Sequence, residues 1–171
     1  LSNLTITGNN ASVNGAGVAI ENGSSPLLEN SLIINNISGE SGGGIYGAQN
    51  SSIILDSVTI SNNTASGSGG GIYANNSSFT IDSSIIDNNV SNQIGGDWLD
   101  GGGGIYSTES FFIIENTTIS NNSAGDVGGG IAMWESNLSI TGVTISNNTS
   151  INRGSGIYSA WSSNTNLINV T

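Results

Sequence analysis

Residues 42–64 read GGGIYGAQNSSIILDSVTISNNT, and three runs inside them, GIY, SSIILDS and VTISNNT, decide the fold. Each run has the length of a β-strand, carries β-branched residues at near-alternating spacing and is bounded by Gly, Ser or Asn, while the glycines bar a continuous helix. The stretch is not unique. Outward from it, an apolar residue followed three positions later by Asn recurs at Ile6/Asn9, Ile33/Asn36, Ile60/Asn63, Ile86/Asn89, Ile119/Asn122 and Ile145/Asn148, at spacings of 27, 27, 26, 33 and 26. Glycines leading into an apolar residue recur at Val18, Ile45, Ile72, Ile105, Ile131 and Ile157, at spacings of 27, 27, 33, 26 and 26. Two different motifs sharing one period mean a solenoid whose repeats touch only their neighbours. Coils would stack at the strand spacing of about 4.8 Å, with the right-handed crossovers general to parallel strands. The expected fold is all-β: a right-handed, single-stranded parallel β-helix of about six coils of 26–27 residues, three short strands per coil.

The inventory of side chains removes several kinds of chemistry. The 171 residues include 12 acids, one basic residue, Arg153, and no Cys or His, for a formal charge of −11. Zinc, iron–sulfur and haem sites need Cys or His ligands and are excluded. Nucleic acid is not an expected partner, because neutralising phosphate takes Lys and Arg. No apolar run approaches the roughly 20 residues of a membrane span, so no direct membrane insertion is expected in this segment. Abundant Gly, Ser and Asn would suit a disordered chain, but the apolar residues keep a repeat register that disorder does not need.

Alternation assigns faces. Leu1, Leu28, Leu55, Ile81, Ile114, Ile140 and Leu167 share one column, and the Ile of IxxN and the apolar residue after the glycines form two more, which together make the core. A coil cannot bury its own apolar face, so its neighbours cover it, at about 25 cal/mol per Å². Asn36, Asn63, Asn89, Asn122 and Asn148 are expected to turn inward as a stacked amide ladder. We read 1–171 as a single repeat domain. Because Leu1 and Leu167 occupy equivalent positions without a polar cap, it is expected to be a segment of a longer solenoid or to be covered at its ends by other chains.

Candidate functional residues fall in four groups. Where the repeat swells to 33, residues 92–101 form an inserted loop carrying Asp97, Trp98 and Asp100, the best pairing of carboxylates with an aromatic ring. A glycosidase needs two convergent carboxylates, and insertions on repeat proteins often face ligand. The plainer reading is a tolerated surface excursion. Glu29, Asp56, Asp82 and Glu115 would stack as an acidic column, which calcium could bridge through oxygen ligands; a solvated stripe is the ordinary alternative, so calcium is possible and no other cofactor is expected. Tyr46, Tyr73, Tyr106 and Tyr158 form an outward row suited to stacking on sugar rings or on one another. Of the many Asn-X-Ser/Thr sequons, Asn3, Asn116 and Asn137 stand clear of the inward ladder as possible N-glycosylation sites.

With these residues in hand, the GGGI and IxxN repeats resemble the GGA(I/L/V) and FxxN repeats of chlamydial polymorphic outer-membrane proteins and, more broadly, right-handed parallel β-helix surface proteins of bacteria and archaea. The resemblance covers nearly the whole chain and implies a cell-surface or extracellular structural module: adhesin, sheath or filament material, non-catalytic, with itself or host and cell-surface glycans as partners. The alternative is a carbohydrate-binding or carbohydrate-cleaving module that uses the 92–101 loop. Catalysis has little to draw on, since a lyase of this shape wants a basic residue and only Arg153 is offered.

Overall fold

The computed structural model describes residues 1–94 and 100–171. Among the described residues the strands pair only in parallel, each with its equivalents one coil away, in four six-stranded sheets that wrap a common axis. The first sheet contains Thr5–Thr7, Leu32–Ile34, Thr59–Ser61 and their successors, and the second contains two-residue strands such as Ile37–Ser38 and Thr64–Ala65. The third holds the post-glycine strands Ile45–Ala48, Ile72–Asn75, Ile105–Thr108, Ile131–Trp134 and Ile157–Ala160. The fourth holds the longest, Ser52–Asp56, Ser78–Asp82, Phe111–Glu115 and Asn137–Thr141. Among the described residues there is no helix long and apolar enough to cross a membrane.

Each coil therefore has four strands where the sequence suggests three. The extra strand is two residues long, and its inward position alternates between Ala and Ser, at Ser38, Ala65, Ser91 and Ala124. Side chains that small give no apolar signal, although the backbone ladder is complete.

The core columns run as vertical neighbours. Leu28 pairs with Leu55, Leu55 with Ile81, Ile81 with Ile114 and Ile114 with Ile140, all at 0% exposure. A further column, Ile53, Phe79, Phe112 and Leu138, is also buried. Its two rings stack at 4.9 Å and 2°. Room for them comes from small residues on the facing strand: a Cβ on Gly47 would lie 2.7 Å from the Phe79 ring. The core is close-packed by pairing large with small across the coil.

Corners are set by left-handed backbone. In each NN pair the first Asn takes positive φ, from 53° to 57° at Asn35, Asn62, Asn88, Asn121 and Asn147, a conformation Asn tolerates better than most residues. That turn drives the second Asn inward. Asn36, Asn63, Asn89 and Asn122 are fully buried, and the Asn63 Nδ2 donates to Asn89 Oδ1 at 3.0 Å and to the Ile33 carbonyl at 2.8 Å. Asn89 and Asn122 repeat the pattern. On either side of residues 95–99 the ladder is in place: the Asn92 N–H donates to Ala65 O, Asp100 O accepts from the Val127 N–H, and Gly101 is bridged to Val127.

Candidate functional site

The outer face of the third sheet carries the aromatic row. Tyr46 and Tyr73 stack at 5.2 Å and 3°, Tyr73 and Tyr106 at 5.3 Å and 8°. One coil further on, Ala132 takes the column position, and Tyr158 follows it. Tyr106 is 7% exposed and Ala132 only 1%, so the interval between Tyr106 and Tyr158 does not open to solvent. Rings stacked face to face cover one another's faces, which leaves edges and hydroxyls for contact. Burial pushes the Tyr106 hydroxyl well above its ordinary pKa, and the Asp100 charge and Tyr73 push the same way. Tyr73 is raised by burial against an opposing Asn75 hydrogen bond, and Tyr46 by burial and then by Glu21 and Glu40. All three remain hydrogen-bond donors at neutral pH. Beside this row Trp134 stacks on Trp161 at 4.9 Å and 24°.

Of the loop triplet, only Asp100 is among the described residues; Asp97 and Trp98 lie outside them. Asp100 accepts a hydrogen bond from the Ser68 hydroxyl at 3.3 Å, and that oxygen accepts one from the Gly101 N–H at 3.2 Å. Burial raises the Asp100 carboxyl above its usual range, the Ser68 bond opposes this, and the Asp126 charge adds to it. Asp126 is itself 2% exposed and accepts a 2.6 Å bond from Asn152 Nδ2.

Two cavities meet at this carboxylate. One, of about 380 Å³, is lined by Glu40, Ser68, Tyr73, Gln93 and Asp100 among others. The second, about 260 Å³, is lined by Tyr73, Asn75, Asp100, Tyr106, Thr108 and Trp134. Tyr73 and Asp100 border both. The site thus combines aromatic edges, hydroxyls, an amide and carboxylates, with no basic side chain among the lining residues described. Glu40, Gln93, Asn75 and Thr108 escape a sequence reading because they come from different coils. The one available signal is that Asn75 and Thr108 stand two positions after Tyr73 and Tyr106, on the same outward side.

The other candidates lie elsewhere. Glu29, Asp56, Asp82 and Glu115 are register partners in the fourth sheet. Asp56 accepts from the Ser57 hydroxyl and Asp82 from Asn116 Nδ2, both at 2.9 Å. Among the described residues no group of three or more carboxylates is arranged to hold a metal ion. Asn116 spends its amide on Asp82. Asn137 is exposed and accepts from Asn164 Nδ2 at 3.2 Å, and Asn3 is exposed at a positive φ of 56°.

No match exists among curated proteins or solved structures. Folds of this kind are shared by enzymes and non-enzymes, so architecture leaves catalysis open. The family described as right handed beta helix region does match, over residues 1–171, and the chain belongs to it.

Proposed function

We propose that this β-helix is a non-catalytic structural module of an extracellular or cell-surface protein, and that the outer face of its third sheet binds glycan. The observation that carries this reading is the meeting of two cavities at Tyr73 and Asp100, lined together by ring edges, hydroxyls and a carboxylate. Sugars are recognised by this mixture of apolar surface and a few placed polar groups. The interior supports a scaffold role, because its amide ladder and aliphatic columns hold the outer row at a fixed pitch. The likeness of the GGGI and IxxN repeats to surface proteins of bacteria and archaea supports the location outside the cell.

A glycan array probed with the intact chain, followed by titration calorimetry on Tyr73→Ala and Asp100→Asn, tests the reading. Wild type should retain at least one glycan class, and each substitution should weaken it without changing the circular dichroism. Retention of no glycan would overturn it.

One observation favours a second reading, in which the module cleaves glycan. Glu40 and Asp100 border the same cavity, with Gly67 N bonded to Glu40 O between them. The two carboxylates come from positions two rungs apart, and a pair of carboxylates on one cavity is what a glycosidase needs. A carboxyl whose pKa burial raises suits a general acid better than a fully solvated one. Release of reducing ends by wild type, abolished in Asp100→Asn, would establish this reading over the non-catalytic one.

A further inference from the structure

Around the perimeter of the coils, the cavities at Tyr73 and Asp100 are followed by a third. The second cavity ends on Asn75, Thr108 and Trp134. The third, about 330 Å³, takes up the next residue after each of these, Asn76, Glu109 and Glu135, and is lined further by Phe111. The path follows the strands Ile72–Asn75, Ile105–Thr108 and Ile131–Trp134 to their ends and turns the corner onto the fourth sheet. Along the axis, by contrast, the stacked tyrosines cover each other's faces.

Phe111 offers the free aromatic surface that the tyrosine row lacks. It is 45% exposed, and its neighbours on the adjoining strands are Ser78 and Asn137. Its ring faces therefore meet small polar side chains and solvent. The corner residues point the same way. Glu109 and Glu135 hold positive φ, 49° and 47°, and among the described residues they are the only charged side chains at non-glycine positions with that backbone. Asn, Ser and Gln fill most of the others, as the conformation favours. The path from Glu40 through Asp100 to Glu109 and Glu135 is acidic and, among the described residues, has no basic side chain.

We propose that the ligand is a polymer lying at right angles to the solenoid axis, long enough to reach from the Tyr73/Asp100 cavities round the corner to Phe111, and that it is neutral or amine-bearing, never a uronate or sulfated chain. This rests on the glycan reading above and fixes its direction, minimum length and charge class. Like charges along the whole path repel an anionic chain, whereas an exposed phenyl face and paired amides and carboxylates suit sugar rings and hydroxyls.

The test uses the intact chain with three oligosaccharide series, cello-oligosaccharides, partly deacetylated chito-oligosaccharides and oligogalacturonides, from dimer to octamer, alongside the array. Tyr73→Ala should weaken every chain length of a bound class. Phe111→Ala should spare di- and trisaccharides and weaken hexamers and longer chains by up to about tenfold, the size of one aromatic contact, with Phe111→Tyr restoring the loss. If no series and no arrayed glycan binds wild type, both the glycan reading and this one fall. If glycan binds but Phe111→Ala acts equally on short and long chains, or on none, the crossing path alone is wrong. Preferential binding of galacturonides or sulfated glycans overturns the charge assignment.

Discussion

The asparagine column and the tyrosine column pass through the same coils, one inside and one outside, and only the outer one lapses. Inside, Asn9 donates to Asn36, and the chain continues through Asn63, Asn89 and Asn122 to Asn148 without a gap. Outside, Tyr46, Tyr73 and Tyr106 are followed by Ala132. The difference lies in what replaces a missing member. Water serves an exposed rung, but nothing serves a buried one, so every inner amide is needed by two neighbours. Regularity inside is thus a requirement of stability, and irregularity outside is the freedom from which a binding face is made.

The sharpest way to break this comparison is Asn89→Ala. The Asn89 amide serves the Ile60 carbonyl, the Asn122 oxygen, and both the N–H and side chain of Asn63. Each buried group left unpaired costs about 1–3 kcal/mol, so urea unfolding should register a loss larger than that of any outer substitution. Asn148→Ala, at a half-buried rung, should cost visibly less. Equal losses at the two positions would mean that the column is not held by its burial.

Next in size is Phe79→Ala, which empties the space between Gly47 and the Phe112 ring. Phe→Ala in a packed core costs about 3–5 kcal/mol. Gly47→Val should also destabilise, from the opposite cause, since its Cβ would meet the Phe79 ring at 2.7 Å. In the double variant Gly47→Val/Phe79→Ala the two defects should partly cancel in the same unfolding measurement, and strict additivity would refute the pairing of large with small.

Smaller again is the tyrosine row. Tyr73 has rings on both sides and Tyr46 on one, and each stacked pair contributes about 0.5–1.5 kcal/mol beyond area. Tyr73→Ala should therefore cost roughly twice as much as Tyr46→Ala in thermal unfolding. Parity between them would show that the stack adds nothing to stability.

The two columns also explain what was legible in the sequence. Ladder residues are legible because a neighbour one period away demands the same residue: Leu55, Ile81 and Asn89 could be placed from spacing alone, and their register partners are the expected ones. The fourth strand was hidden because Ser38 and Ala65 face inward without an apolar mark. A hydroxyl ladder was hidden for a like reason: Ser110 Oγ accepts from the Ser77 N–H and Ser136 Oγ from the Ser110 N–H, yet one serine among many carries no signal. The candidate site was legible only in part. Tyr73, Tyr106 and Asp100 could be singled out, but Glu40, Gln93 and Phe111 join them through stacking of different coils, which a linear period does not encode.

The smallest expected effect concerns Asp100 and depends on pH. Its folded-state pKa lies above the ordinary 3.8 because of burial, with Asp126 adding and Ser68 subtracting. At a pH below 3.8 both folded and unfolded chains carry the proton, and Asp100 has no part in the pH dependence. As pH rises past that value the unfolded chain releases its proton first, so stability falls until the folded carboxyl has ionised too, and the deficit persists at neutral pH. Asp100→Asn keeps an oxygen for the Ser68 hydroxyl but never ionises. Its melting temperature should match that of wild type near about pH 3 and exceed it slightly from about pH 6 upward, a modest gain because Asp100 is only half-buried. A difference that stays constant across this range would show that the carboxyl is not desolvated by the cavity it borders.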